Sequence, residues 1–448
     1  MAVETTGETI VVRKDGTYEL VKGDFFGILS EGDYTQPNFV YELHDEPYQD
    51  KQWYLDSTSG IDIKYKAALK ELEGIKLSEI IVAVLDTGVD YKHEDLKDVM
   101  WDGKDCVSET GSKLGGCIHG YSFAYGKSSK DPMPGSSIGS YHGTHIAGTI
   151  GAAINSKGVA GVATNVKIMA IRADSGDRLN TYDLTRGIDF ANKNGAKIIN
   201  ASWGVKCLYG GKPQKDDALL KKTIENFSGL FINSAGNAKC DHDDPNIYTT
   251  PSEFRKTLKN MIVVAASDSY DKLAIFSDYG AKTVDVAAPG VSILNTLLSN
   301  RYGTLDGTSM ATPVVVGIAA AIWGVNPTAS RDVISKIIRE EVDKPSALKN
   351  KLMYGRVNYL SAVKKAKLLF GPSPSPTLTP IPTVPTCPVC KGIGDYNCDG
   401  KVDGLDYSWW KQEFVDKIQH GGQWTASRNC SATVSLDDFS AWRINYLK

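Results

Sequence analysis

No apolar run in this 448-residue chain reaches the roughly 20 residues that a bilayer-spanning helix needs. The longest, Val314 to Val325, reads as a buried helix. An excess of one charge is also missing: 50 basic residues are mixed with 53 acidic ones, for a net charge of −3. Without a basic stripe, or aromatic residues interleaved with basic ones, nucleic acid drops out as a partner. The opening residues, MAVETTGETIVV, lack the basic and apolar regions of an export signal, so none is expected in the chain as given. What remains is an ordinary globular composition, 42% hydrophobic and 23% charged. The length suggests one large domain and something smaller.

Cysteine is present in even number, at positions 106, 117, 207, 240, 387, 390, 398 and 430. The close spacing of Cys106 with Cys117, and of Cys387 with Cys390, suits an oxidising compartment. Free buried thiols are the alternative. An exported protein is expected despite the missing signal.

Proline at nearly alternate positions in FGPSPSPTLTPIPTVPTCP, residues 370–388, prevents helix and sheet and favours a semi-rigid spacer. It separates the large domain from a module at 389–448. Before it, apolar runs at 80–86, 166–173, 197–202, 230–236 and 261–267 read as strands covered on both faces. Helical periodicity appears in TYDLTRGIDFANKNG and DDALLKKTIENFSG, each closing on a glycine suited to a helix C-terminus. The alternation predicts an α/β fold with a doubly wound, mostly parallel sheet, whose chemistry gathers at the carboxyl ends of the strands.

Polar residues stand at those ends. Asp86 closes IIVAVLD, Asn237 follows LFINSAG, and Ser202-Trp203-Gly204 follow KIINA. His142 and His145 open a small-residue helix, and Ser309 opens an apolar one. An Asp, a His and a Ser brought together meet the needs of nucleophilic acyl transfer: imidazole removes the hydroxyl proton and the carboxylate holds the ring. An Asn side chain can stabilise the oxyanion, and a helix N-terminus adds a favourable dipole. Ser309 could equally be a helix-capping residue, since Ser and Thr favour such starts.

VLDTGVD, HGTHIAGT, SAGN and GTSMATP, in that order, resemble the signature segments of the subtilisin-like serine proteases. The resemblance runs from about residue 46 to 365 and takes in VDVAAPGVSIL and GRVNYLSAV. It implies a triad of Asp86, His142 and Ser309, with Asn237 as oxyanion donor and His145 structural. It also implies that Ser202, Trp203 and Gly204 form a strand pairing with substrate backbone, Trp203 walling an apolar subsite, with Ser234, Ala235 and Gly236 lining the substrate as well. Tyr141 stands where the family usually has Gly, and Val314 where it usually has His. An esterase reading lacks the G-x-S-x-G elbow.

The family is often stabilised by calcium. Asp95 and Asn155 match ligand positions of its tight site, with carbonyls from Ala153, Lys157 and Val159, and Glu46 as a further ligand. Cys207 and Cys240 fall on loops at the edge of the site and could pair; Cys106 and Cys117 could close a small loop. Residues 1–40 resemble a remnant of the inhibitory propeptide, with a disordered extension as the alternative. The protease domain is then expected at 41–369.

In the C-terminal module, DYNCDGKVDGLD places Asp395, Asn397, Asp399, Lys401, Asp403 and Asp406 at positions 1, 3, 5, 7, 9 and 12 of an EF-hand loop. This loop and the helix after it resemble a dockerin repeat, which implies Ca²⁺ and a cohesin-like partner. A second copy keeps Asn429 and Asp438 but has Ser427, Ser431 and Ala432 where Asp, Asp and Gly are expected. Cys398 and Cys430 occupy matching positions; a zinc knot with Cys387 and Cys390 is the rival reading. The expectation for the whole chain is an extracellular or cell-surface serine endopeptidase acting on proteins or peptides. Its rival is a silent binding protein on the same fold.

Overall fold

The computed structural model describes residues 5–23, 33–43, 46–47, 52–57, 59–155, 157–176, 178–210 and 217–370. The Asp395 loop, its second copy, the cysteines from Cys387 onward and most of the proline-rich spacer lie outside the described residues. Everything described belongs to one compact unit bounded at Ser373.

Its centre is a sheet of nine strands. Gly120–Ser122, Val166–Arg172, Ile80–Asp86, Ile198–Ala201, Leu230–Ser234, Met261–Ser267, Val286–Pro289 and Gly355–Val357 run parallel in that spatial order, and Val342–Asp343 closes the edge antiparallel. The five expected strands are all present, each within two residues of its expected limits.

Alternation along each strand serves two cores. Ile80, Val82 and Val84 face one, with the buried helices His142–Gly151 and Thr308–Val325; Ala83 and Leu85 face the other, with helix Thr181–Lys193. Truncating one such side chain, Leu85→Ala for instance, costs about 2–5 kcal/mol. The helix Thr308–Val325 is apolar and long enough to cross a membrane by composition, but it is buried in the centre of the fold.

The connections change side between Ile80–Asp86 and its neighbour Ile198–Ala201: the two strands that follow Ile80–Asp86 in sequence, Gly120–Ser122 and Val166–Arg172, lie on one side of it, and Ile198–Ala201 and its successors lie on the other. That change opens a crevice at the carboxyl ends of the strands, where Asp86 and Ser202 stand.

One glycine reading is corrected. Gly195, with φ of 79°, does follow helix Thr181–Lys193 in the left-handed region. Gly229, by contrast, lies beyond the end of helix Ala218–Asn226, and Phe227 caps it in an extended conformation. Gly229 is needed for closeness, since a Cβ there would lie 2.0 Å from the carbonyl oxygen of Lys197.

The described N-terminal residues form a small antiparallel sheet. Thr5–Val12 pairs antiparallel with both Tyr18–Lys22 and Tyr34–Leu43. Ile10 and Val12 bury themselves against Leu219, with Tyr18, Leu20 and Tyr182 around them. Gln36 donates to Asp217 Oδ1 (2.6 Å) and accepts from Leu219 N (2.6 Å), while Asp217 caps helix Ala218–Asn226 through Leu220 N. Tyr18 donates to Asp189 Oδ2 at 3.1 Å on helix Thr181–Lys193. The sheet thus docks on two helices through both apolar and polar contacts.

Candidate active site

Asp86 ends a fully apolar strand, so the carboxylate is buried and must find donors. Thr87 N supplies one at 2.8 Å, and His142 Nδ1 lies 2.8 Å from the same oxygen. Thr87 Oγ1 accepts from Gly143 N (3.1 Å), pinning the start of helix His142–Gly151 to the strand end. Gly143 has to be a glycine, because a Cβ there would sit 2.3 Å from Gly88 O and 3.1 Å from the Asp86 carboxylate. His142 and Asp86 therefore form a buried hydrogen-bonded pair at the crevice.

His145, one turn further on, is separate from that pair. Its Nε2 lies 2.9 Å from Ile293 O and 3.2 Å from Gly303 O, which makes that nitrogen the N–H donor. Burial pushes its pKa down to about 3, so the ring is neutral and ties the helix to the hairpin of strands Ile293–Leu297 and Arg301–Asp306.

Ser309 is the second residue of its helix, and Gly307 at the N-cap contributes no side-chain cap. Pro313 in the second turn has no N–H to donate to Ser309 O. Ser202 Oγ takes that carbonyl instead at 2.9 Å, and Ser309 Oγ donates back to Ser202 O at 3.1 Å. Asn200 Nδ2 holds Ser202 Oγ at 2.9 Å. Ser309 is thereby fixed to the end of the neighbouring strand.

Asn237 joins the same assembly. Its Oδ1 accepts from Thr308 N and Thr308 Oγ1, both at 3.0 Å. Its Nδ2 is buried and has no hydrogen-bond partner among the described residues. A buried, undirected amide N–H is costly unless a ligand oxygen comes to it. Gly236, with φ of 123°, donates its N–H to Thr308 Oγ1 at 3.1 Å, and Ala235 N donates to Val264 O at 2.8 Å. Ser234 ends its strand, buried.

Two short edges flank the crevice, and the N-terminal chain lies between them. Tyr34–Leu43 pairs antiparallel with Trp203–Gly204 on one side and with Arg178–Asn180 on the other. Immediately downstream, Glu46–Pro47 pairs with Leu305–Asp306, just before Ser309. The Arg178–Asn180 edge has no sequence signal, since three residues are too few to show a pattern.

Trp203 lies beneath the N-terminal strand that pairs with its edge. Its ring is fully buried, with Nε1 donating to Leu85 O (2.9 Å) and the ring packed edge-on to Phe231. The backbone of Trp203 meets the N-terminal strand, while its ring belongs to the core. Val314 is likewise a core residue, and Tyr141 precedes the His142 helix, partly buried. The disulfides Cys106–Cys117 and Cys207–Cys240 are both formed. The second ties the loop after Gly204 to the loop after Asn237.

Asp95, Ala153, Asn155, Lys157 and Val159 also come together. The buried Asp95 carboxylate accepts from Asn155 Nδ2 (3.1 Å) and Val159 N (2.9 Å), and Asn155 Oδ1 accepts from Lys157 N. No donor among the described residues reaches the carbonyls of Ala153, Lys157 or Val159. A carboxylate, an amide and free carbonyls are the hard oxygen set that calcium takes, provided the Asn155 amide turns its oxygen toward Asp95. Of Glu46 only the backbone pairing with Asp306 is described. No cluster of three or more acidic, His or Cys ligands occurs among the described residues.

The sequence profile of the Subtilase family matches residues 78–357. A thermophilic serine proteinase of Bacillus sp. (strain AK1) is 33% identical over 340 residues, spanning 74% of this chain and 72% of that protein. Thermitase of Thermoactinomyces vulgaris is 33% identical over 286 residues, spanning 63% of this chain and 88% of its own. Fervidolysin of Fervidobacterium pennivorans shares the fold, with a TM-score of 0.62 at 23% identity over 80% of this chain and 61% of that one. With the match covering more than half its length, this chain belongs to the subtilase family and is a serine-type endopeptidase.

Proposed function

We propose that the enzyme hydrolyses peptide bonds through an acyl-enzyme on Ser309, with His142 as general base and acid, Asp86 as its orienting carboxylate, and Asn237 as oxyanion donor. The observation that carries this is the buried 2.8 Å contact between His142 Nδ1 and Asp86 Oδ1. A carboxylate only accepts, so Nδ1 carries the hydrogen and Nε2 carries the lone pair that can take a proton. Ser309 Oγ attacks the carbonyl carbon as its proton passes to His142. The negative charge on the former carbonyl oxygen meets Asn237 Nδ2 and the N-terminal end of the Ser309 helix. Collapse breaks the C–N bond, and the imidazolium protonates the departing amine. Water, deprotonated by the same ring, then attacks the ester and restores Ser309.

The substrate is a protein or peptide in extended form, held between Arg178–Asn180 and the Ser202-Trp203-Gly204 edge, with Ser234, Ala235 and Gly236 beside it. Supporting this, the chain's own Tyr34–Leu43 lies between those two edges as an antiparallel strand. We read residues 1–40 as an inhibitory N-terminal segment and 41–369 as the protease domain. Calcium would be held by Asp95, Asn155 and the carbonyls of Ala153, Lys157 and Val159, with Glu46 as a further candidate, and would close that loop without entering the reaction. The disulfides favour an extracellular or cell-surface location. Beyond the spacer at 370–388, the module at 389–448 is proposed, on its EF-hand spacing alone, to bind Ca²⁺ and dock to a cohesin-like partner.

The deciding experiment is intact mass before and after a fluorophosphonate probe, with Ser309→Ala as control. One adduct, absent from the control, is expected. No adduct in the presence of calcium would mean that the site is blocked or dead; no adduct even after the N-terminal segment is removed by limited proteolysis would overturn the reading in favour of a silent binding protein.

A further inference from the structure

Beyond the groups that would touch the reacting atoms, one buried residue, Asp278, grips the chain on both sides of Asn237: its backbone holds Gly236 and its carboxylate holds Ala238 and Cys240. Asp278 donates its own N–H to Gly236 O at 2.8 Å. Its Oδ1 accepts from Ala238 N and from Cys240 N, each at 2.8 Å. The residues flanking Asn237 in sequence are thus both hydrogen-bonded to residue 278. The fit is tight, since a Cβ on Gly236 would lie 2.3 Å from Asp278 Oδ2. Behind the carboxylate, Oδ2 faces His242 Nε2 at 3.4 Å, and His242 N donates to Tyr279 O at 2.7 Å. Asp278 and His242 are each about 2% exposed, so bulk water is not available to replace these contacts.

The side chain of Asn237 is aimed by Thr308, but its backbone is fixed by Asp278. An amide aimed at an oxyanion must be held to within a fraction of an ångström, because the donor has to meet charge that forms only in the transition state. A neutral hydroxyl in place of Asp278 could not accept both N–H groups at this strength. We propose that Asp278, backed by His242, is a positioning residue for the oxyanion donor. It acts on turnover through Asn237 and makes no contact with substrate. The inference rests on the reading of Asn237 given above.

The test is a double-mutant cycle on the full chain, with active sites counted by fluorophosphonate labelling and turnover measured on a peptide anilide. Asp278→Ala is expected to lower kcat by roughly 10- to 100-fold with KM within about twofold. Asp278→Asn keeps an acceptor oxygen for both N–H groups and should restore kcat to within about threefold of the parent. In an Asn237→Ala background, Asp278→Ala should cause little further loss, because the group it positions is gone. If the two losses multiply, or Asp278→Ala raises KM and leaves kcat alone, the positioning role is overturned while the oxyanion reading stands. If Asn237→Ala itself leaves kcat unchanged, it is the oxyanion reading that has failed. Should the Ala variant not be recovered folded, Asp278→Ser, which leaves a polar atom but withdraws the double acceptor, carries the same expectations.

Discussion

Docking of the N-terminal sheet should weaken as pH rises. Asp189 lies under that sheet, and burial pushes its carboxyl up to about 6 although the Tyr18 hydroxyl donates to it. Released from the sheet, the carboxyl would return toward its ordinary value near 3.8. The group therefore holds a proton more firmly docked than undocked, so docking is strongest at low pH and loses strength as pH climbs through about 4 to 6. Each pH unit across which one state is protonated and the other is not changes the balance by about 1.4 kcal/mol. Between pH 7 and pH 5 the full difference applies over about one unit, which is roughly tenfold in the opening equilibrium. Helix Thr181–Lys193 itself shields part of Asp189, so tenfold is a ceiling. Lys193 and Glu109 are the other charges acting on this carboxyl, the first lowering and the second raising it. Asp183 is also pushed up to about 6, but it is bonded to Asn180, Gly126 and Ser175 within the protease.

The assay is hydrogen exchange at the backbone amides of Thr9–Val12 in the Ser309→Ala chain, corrected for intrinsic exchange at each pH. Opening should be up to tenfold more frequent at pH 7 than at pH 5. Asp189→Asn should remove the dependence and keep the segment closed at pH 7. An equal slope in Asp189→Asn, or more frequent opening at pH 5, would refute the reasoning.

Two further outcomes follow from buried polar groups elsewhere. His145 is held at about 3 by burial, while the unfolded chain takes up a proton near 6.5, so stability should fall as pH drops below 6.5, by up to about 1.4 kcal/mol per unit. Urea titrations from pH 7 to pH 4 should show this decline, reduced in His145→Gln. Chelation should lower Tm, and added calcium should raise it again; Asn155→Ala should lose most of that calcium-dependent shift while keeping its peptidase activity in excess calcium.

The strands were legible wherever burial on both faces makes a strand a continuous apolar run, as at Ile80–Asp86 and Met261–Ser267. Gly120–Ser122 and Gly355–Val357 are too short to carry a pattern. Asp86, His142, Asn237 and Ser309 stood out as candidates because each interrupts apolar or small-residue sequence at an element's end. Arg178–Asn180 was not legible, since a three-residue edge is too short to carry a pattern. The packing of Trp203 was not legible, because an aromatic beside a strand end fits a pocket wall as well as a core; its ring meets Phe231 and donates to the carbonyl of Leu85. Asp278 gave no signal: its partners, the N–H groups of Ala238 and Cys240, are about forty residues away and are set by the loop's path.

Whether Ser309 is a capping residue or a nucleophile turns on what its neighbours do with hydrogen bonds that the helix cannot use. A capping serine sits before the first turn and spends its oxygen on the N–H two or three residues ahead. Here Gly307 holds that place, and the Ser309 hydroxyl points back to Ser202 O. Pro313, by failing to donate, leaves Ser309 O to Ser202 Oγ, and the start of the helix leaves Thr308 N to Asn237. Helix ends always leave such groups unmatched. In this fold they are satisfied by residues from adjacent strand ends, so the serine is fixed in place while its hydroxyl stays off the helix. The same junction that starts the helix therefore orients Ser309 and Asn237 together, so a sequence suited to a buried helix start is compatible with the acyl transfer proposed above.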